Sequence, residues 1–514
     1  MKSGSGSLGS EPVLFLGLSP DPFWYRLVPE GFVVMVTAAS GCSKDSDLFI
    51  LLSPPGLAAP DLLRMRITSC WLLLALLPLL SSAQLLDICS ARPKDLALEP
   101  RCVYRSPDPD EADEADELTP EPRPVNPRVW ELSKANGRFA LALYKQMALS
   151  RTPDSNIFMS PLSISTAFAM TKLGACNQTL EQIMKVFQFD TIKEKTSDMI
   201  HFFFAKLNCR LYRKKDKTTL LVSANRLFGD KSLQFNETYQ NISETVYGAK
   251  LMPLNFKTNP EAARITINDW ISNKTENRIQ DTLPSGALDS NTALVLVNTI
   301  YFKGLWKNKF PKDSVVVSDF FVDDSRSCEV NMMNQETRFN YKDLREEKVQ
   351  LLEMPYRGDD ITMVIILPNK GHPLSQVEQN LDQNKLKVWL DQMRETSVSV
   401  SVPRFRVEDS FSLKDKLQQM GLTDLFSADT ASLPGILEDG SESLFISDAY
   451  HKAFLEVNEE GSEAGASTAV VAVGRSLILD REYFLADHPF LVIIRESTLN
   501  TLLFIGRVAE PCQQ

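Results

Sequence analysis

Glu459–Ser476 reads E-E-G-S-E-A-G-A-S-T-A-V-V-A-V-G-R-S. Successive side chains of a strand point to opposite faces. Counted that way, Ser462, Ala464, Ala466, Thr468 and Val470 share one face, all small or β-branched and none charged. The charge of Glu463 falls on the other face. Such a segment can lie exposed as a loop and can also enter the middle of a β-sheet without burying a charge. It ends in Gly474-Arg475-Ser476, a sequence that trypsin-like proteases cut. Taken alone, it is equally a flexible Gly/Ala/Ser loop, because exposed Arg-Ser pairs are common.

Four further blocks lie around it in fixed order: N-I-F-M-S-P-L-S-I-S at 156–165, L-V-N-T-I-Y-F-K-G-L-W at 296–306, H-P-F-L at 488–491 and F-I-G-R-V at 504–508. Apolar spacing predicts helices over Asn136–Leu149 and Leu162–Leu173. Alternating or continuous β-branched runs predict strands over Thr219–Phe228, Thr292–Phe302, Val349–Met354, Ile361–Leu367, Val398–Val402 and Leu491–Ile494. Helices come mainly first and strands mainly later, which argues α+β. From about Val129 to Cys512 these blocks resemble the serpin family. The resemblance implies helices packed on a large central β-sheet, further sheets, and an exposed reactive-centre loop at about 459–480. In that scheme Glu459, Glu460, Gly461, Ser462, Ala464, Ala466 and Thr468 form the hinge, and Arg475-Ser476 is the reactive bond. Residues 128–514 then make one large domain.

Before that domain the composition changes. Met65-Arg66, the apolar run Trp71–Leu80 and the small residues Ser81-Ser82-Ala83 have the three parts of a secretory signal peptide, 65–83. Residues 1–64 read as an upstream extension, and the mature chain is expected to begin near Ser82–Leu85. Residues 84–127 form an N-terminal arm followed by the tether S-P-D-P-D-E-A-D-E-A-D-E-L-T-P-E-P-R-P-V-N-P, acidic, proline-rich and without an apolar face. After residue 90 no run reaches the roughly 18 apolar residues of a membrane span.

Secretion gives the cysteines meaning. Of eight, Cys42 and Cys70 lie in the segment expected to be removed. An even set remains, and from the residues alone every pairing among them is open. The serpin resemblance, narrowed to the family's heparin-activated branch, implies Cys89–Cys209, Cys102–Cys176 and Cys328–Cys512. Asn-x-Ser/Thr sequons stand at Asn177, Asn236, Asn241 and Asn273, each a candidate for N-glycosylation. No Cys-x-x-Cys pair occurs and the four histidines are scattered, so no metal site is expected.

Thr196–Lys217 places Lys206, Arg210, Arg213, Lys214 and Lys217 on one helical face and Ile200, Phe203, Phe204, Leu207 and Leu211 on the opposite one. A solvated face normally mixes signs. Like charges four residues apart destabilise a helix by a few tenths of a kcal/mol, so something should compensate. The resemblance names heparin or heparan sulfate as the ligand of Lys206, Arg210, Arg213 and Lys214, with Lys195, Arg92 and Arg128 as further contacts. Lys94, Arg105 and Lys217 flank them. Serpins of this branch usually carry two adjacent arginines before V-W-E-L-S-K, and here Pro127 replaces the first, which should weaken the site without abolishing it. The net charge of −11 does not oppose this, because salt screens distant charges beyond about 8 Å. No nucleic-acid motif accompanies the patch.

An enzyme needs a nucleophile, a base and an orienting acid. His201, His372, His451 and His488 are the only histidines, none sits in a catalytic motif, and no Gly-x-Ser-x-Gly elbow occurs. No catalytic residue and no catalytic cofactor are expected. What the resemblance implies is a secreted plasma inhibitor, a monomer. It would trap thrombin, factor Xa and related coagulation proteases by cleavage at Arg475-Ser476 and loop insertion, with heparin as activator. A non-inhibitory heparin-binding serpin is the competing class. Members of that kind often carry charged or bulky hinge residues, which this chain lacks.

Overall fold

Where the apolar residues fall decides where each element packs. The computed structural model describes residues 87–96, 98, 100–104, 126–193, 198–212, 219–442, 444–462 and 481–512, together with three short strands nearer the N-terminus. The chain divides into two compact units, Met1–Leu86 and Asp87–Gln514. In the first, Phe23–Tyr25, Val33–Thr37 and Phe49–Ser53 pair as an antiparallel sheet. The expected signal peptide and the acidic tether up to residue 125 lie outside the described residues.

In the second unit the principal helices are α1 (Pro127–Leu149), α2 (Pro161–Lys172), α3 (Asn177–Val186), α4 (Met199–Tyr212), α5 (Glu237–Tyr247) and α6 (Pro260–Lys274). Both α1 and α2 begin with a side-chain cap followed by proline, whose missing N–H costs nothing at that position. Asn126 Oδ1 accepts from Arg128 N at 2.9 Å, and Ser160 Oγ accepts from Ser163 N at 3.3 Å. Every residue of α2 is buried, as expected of a helix without a polar face.

The central sheet contains β1 (Thr219–Asp230), β2 (Met252–Leu254), β3 (Leu294–Leu305), β4 (Phe405–Ser412), β5 (Asp448–Val457) and β6 (Gly461–Ser462), in the spatial order β4–β5–β6–β3–β1–β2. The L-V-L-V start of β3 is explained by burial on both faces. Leu294, Leu296, Ile300 and Phe302 face the main core, whereas Val295, Val297 and Tyr301 pack beneath α6 with Ile267, Ile271 and Phe454. A second sheet runs Glu482–Leu485, Arg394–Pro403, Ser327–Leu344, Val349–Pro355, Ile361–Pro368, Phe490–Glu496, Thr501–Val508 and Ile157–Met159, with Val315–Phe321 also on Ser327–Leu344. Cys89–Cys209, Cys102–Cys176 and Cys328–Cys512 are disulfide-bonded. Among the described residues no helix is long and apolar enough to cross a membrane.

Candidate functional site

Two places bring the singled-out residues together: the mouth of the central sheet and the outer side of α4.

At the mouth, β5 runs parallel to β3 from Asp448↔Val295 to Phe454↔Tyr301. Past Val457 the chain turns, with Asn458 N and Gly461 N each donating to the other's carbonyl at 2.9 and 3.2 Å. Gly461 and Ser462 then enter the gap. Ser462 pairs with Val457 on one side and with Gly304 on the other, while Gly461 pairs with Leu305. Of the loop expected to be exposed from about 459, Glu459, Gly461 and Ser462 are therefore buried. Only glycine fits at 461. Its φ is +151°, and a Cβ there would lie 2.0 Å from Gly304 O and 2.7 Å from Leu305 Cα. Ser462 is wholly buried, its Oγ 2.6 Å from Tyr356 Oη. Trp306 stacks on Tyr356 with centroids 4.3 Å apart and donates Nε1–H to Asn458 O at 2.9 Å.

The two glutamates before the glycine are tied down. Trp306 N donates to Glu460 O and Phe310 N to Glu459 O, both at 3.0 Å. Arg404 Nε donates to the Glu459 carboxylate at 3.2 Å. Glu460 pairs with Lys309 and, at 3.5 Å, with Lys312. The Lys309 hydrogen bond is the main reason its carboxyl is held below its ordinary value. Ala464, Ala466, Thr468, Arg475 and Ser476 lie outside the described residues. The chain resumes at Arg481, whose Nη1 contacts Glu336 Oε2 at 2.7 Å, and Glu482–Leu485 then runs parallel to Arg394–Pro403.

On α4 the apolar stripe Ile200, Phe203, Phe204, Leu207 and Leu211 is buried. Two cations of the other face, Lys206 and Arg210, are engaged within the chain. Lys206 Nζ donates to the carbonyl oxygens of Ile88, Cys89 and Ala91 at 3.2, 2.8 and 2.6 Å. Burial lowers its ammonium below the usual lysine value, against the opposing pull of Asp87 and Asp95. Arg210 Nε and Nη2 donate to Glu496 Oε1 at 3.1 and 2.8 Å, and Glu496 is 1% exposed. These contacts compensate the two described cations of the like-charged face.

The Cys89–Cys209 bridge fastens the arm to the same helix, so exposed Arg92 lies next to Ala91, one of the acceptors of Lys206. Arg128 sits in the first turn of α1 and pairs with Glu131 at 2.7 Å. Glu131 Oε2 accepts from Lys193 N at 2.9 Å, joining α1 to the segment that leads to α4. Lys195, Arg213, Lys214, Lys217 and Arg105, and the side chain of Lys94, fall outside the described residues. Sequence reasoning missed Glu496, Glu131 and Tyr356. Only Glu496 carried a local signal, a carboxylate closing the apolar strand F-L-V-I-I-R-E.

Among the histidines, His451 is fully buried with Nε2 accepting from Ser160 N at 3.1 Å, and burial pushes it down to about 3. Of the sequons, Asn177, Asn241 and Asn273 are exposed, whereas Asn236 caps α5 by accepting from Tyr239 N at 2.9 Å. Asn177 Nδ2 donates to Ser432 Oγ at 3.1 Å and to Glu442 Oε1 at 3.4 Å.

A sheet whose mouth holds the first residues of a loop between two parallel strands defines a class of protein. The serpin (serine protease inhibitor) family profile matches residues 134–511, and the chain belongs to that family. Over 426 residues, 83% of this chain, it is 60% identical to Antithrombin-III of Mus musculus, covering 91% of that protein. It is likewise 60% identical over 426 residues to Antithrombin-III of Homo sapiens, covering 83% of this chain and 92% of that one. Serpin B3 of Homo sapiens is 40% identical over 393 residues, 74% of this chain and 99% of that protein. The crystal structure of uncleaved ovalbumin, 33% identical, superposes with a TM-score of 0.67, covering 74% of this chain and all of ovalbumin.

Proposed function

We propose that this chain is a secreted inhibitor that traps thrombin, factor Xa and related trypsin-like coagulation proteases, accelerated by heparin or heparan sulfate. The observation that carries the reading is the seating of Gly461 and Ser462 between β5 and β3. It supports a loop that can continue into the same gap.

The register extends directly. With Ser462 inward, strand alternation turns Ala464, Ala466, Thr468 and Val470 inward and Glu463 outward. A protease serine attacks the Arg475 carbonyl carbon, the bond to the Ser476 nitrogen breaks, and an acyl-enzyme ester remains on Arg475. The released strand then separates the parallel β5–β3 ladder and pairs on both sides. One ladder is exchanged for two antiparallel ones, each new hydrogen bond contributing roughly 1 kcal/mol. Each small apolar side chain newly covered adds on the order of 1–2 kcal/mol. That downhill step carries the tethered protease away before its ester hydrolyses.

The similarity to antithrombins supports the choice of targets. Arg475 supplies the charge for an acidic specificity pocket. Heparin is placed on the face formed by Lys206, Arg210, Arg213 and Lys214, with Lys195, Arg92 and Arg128 at its margin. Asn177, Asn236, Asn241 and Asn273 are the glycan positions, and residues 65–83 the signal removed on secretion.

The test is incubation with thrombin, with and without heparin, followed by denaturing gel electrophoresis. A complex that survives SDS and forms faster with heparin is expected. Cleavage without complex, or no cleavage, favours the non-inhibitory heparin-binding alternative.

A further inference from the structure

Beneath α4 sits a buried lysine whose one ion-pair partner among the described residues, Asp198, stands 4.0 Å away. Lys172, the last residue of α2, is 2% exposed. Its Nζ lies 3.5 Å from His201 Nε2 and 4.0 Å from Asp198 Oδ1. An ammonium has three donors to satisfy, and neither distance is that of a normal hydrogen bond. His201 Nδ1 in turn lies 2.6 Å from Tyr247 Oη on α5. Asp198 immediately precedes α4, and its buried Oδ1 has no hydrogen-bond partner. Burial, with Tyr239 second, raises the Tyr247 hydroxyl well above the usual tyrosine value. Among the described residues, Asp198 and His201 are the titratable groups that face the amine, with Tyr247 on the far nitrogen of His201. Burial outweighs Asp198 and pushes the Lys172 ammonium down to about 8. Burial, with the Lys172 charge second, holds His201 well below the usual histidine value.

We propose that Lys172 positions α4 for a sulfated polyanion and takes up a proton when the polyanion binds. This rests on the polyanion reading given above. His201 and Lys206 are five residues apart on the helix, about 140° around its axis, so the buried amine and the outer cations lie on opposite sides of one helix. With its side chains a helix is roughly 10–12 Å across. A polyanion on the outer face is therefore close enough to act on an interior charge, which salt screens far less than a surface one. Its field favours the charged form of the amine. By reciprocity, the protonated protein binds the polyanion more tightly.

The sign of the pH dependence follows. Below about 8 the amine is charged in both free and bound protein. As pH rises above that value the free protein loses the proton, binding must recover it, and affinity falls. Exposed lysines keep their charge through this window, because they titrate near 10.4, and Lys206, which burial lowers, is told apart by Lys172→Met, which leaves it in place.

Heparin binding to the full protein, titrated at constant ionic strength from pH 7 to 9.5, should weaken by about three- to tenfold. Calorimetry at pH 8.5 in two buffers of different ionisation enthalpy should show net proton uptake. Lys172→Met should flatten the profile, which also separates this amine from a chain-terminal one. Asp198→Asn, which removes the carboxylate that supports the charge, should move the fall to lower pH and serves if the Met variant does not fold. Failure of heparin to bind even at pH 7 overturns the polyanion reading and this inference with it. Binding with a flat profile and no proton uptake, or a fall unchanged in Lys172→Met, overturns the inference alone.

Discussion

Gly461–Ser462 and the Lys206–Arg210 face are both held by contacts inside the chain, but by opposite chemistry. Past its two ion-paired glutamates, the hinge at Gly461–Ser462 is held by shape. Gly461 and Ser462 are small and neutral, and one missing Cβ lets the backbone lie against Gly304 and Leu305. The basic face is held by charge. Lys206 is chelated by three arm carbonyls and Arg210 by a buried carboxylate. A steric seat should respond to single methyl groups and ignore salt. An electrostatic one should respond to salt and to a competing polyanion, and tolerate changes of volume. The two regions can therefore be perturbed separately.

The largest separation is expected from Arg475→Leu. A neutral side chain leaves the carboxylate of a trypsin-like pocket buried and unpaired, at a cost of several kcal/mol. Thrombin and factor Xa inhibition should fall by about a thousandfold while heparin affinity stays within about twofold. Second-order inhibition rates and a heparin titration measure both, and unimpaired inhibition would place the reactive bond elsewhere. Next comes Gly461→Ala. Its added Cβ meets backbone rather than a flexible side chain, so the strand must leave its seat or store strain of about 1–3 kcal/mol. Amide exchange at Ser462 should accelerate and the native melting temperature should drop, with heparin affinity unchanged. If Ser462 stays equally protected, shape is not what holds the hinge.

How much of this was legible in the sequence differs between the two regions for a physical reason. The small, uncharged face of 462–470 and the apolar stripe of α4 are periodic, and period survives in one dimension. The buried helix α2 and the double-faced strand β3 were readable on the same ground. Partners across space are not. Glu496 lies 286 residues from Arg210, and carbonyl acceptors such as those of Ile88 and Cys89 have no side-chain signature at all. Ser327–Leu344 also escaped, because its buried Val330, Met332, Phe339 and Tyr341 are interleaved with so many polar residues that the run reads as loop. The glycine at 461 was placed in the hinge by resemblance alone. The reason for it appears only once Gly304 is seen opposite.

On the electrostatic side, Lys206→Ala with Arg210→Ala should weaken heparin binding at least about tenfold and lower its salt slope by roughly one to two, by the counterion-release argument made for nucleic acids. Inhibition without heparin should barely change. Lys206 also holds the arm, so part of the loss is expected from a looser arm rather than from the missing charge. The salt slope separates the two, because loosening alone leaves it as it was. Heparin affinity that survives at low and physiological salt would remove the ligand from α4.

The smallest effect, and the sharpest test of the comparison, is expected from Glu496→Gln. In the free protein Glu496 neutralises Arg210 and also accepts from Leu499 N at 2.7 Å. A polyanion that uses Arg210 must compete with this carboxylate, which is 1% exposed and fixed in place. Glutamine keeps an acceptor for Leu499 and nearly the same volume but gives up the charge. Arg210 then carries an uncompensated cation on a surface where like charges already repel, and a ligand of opposite sign relieves it. Heparin affinity should rise about two- to fivefold at low salt, and the gain should shrink at high salt as screening shortens the range of the interaction. The partial burial of the pair makes the lone guanidinium costlier in the free state, which lowers stability and adds to the gain on binding. The measurement is a heparin titration of parent and variant at two salt concentrations. Weaker binding in Glu496→Gln would mean that the carboxylate orients Arg210 for the ligand rather than competing with it, and the basic face would then be held by geometry as the hinge is.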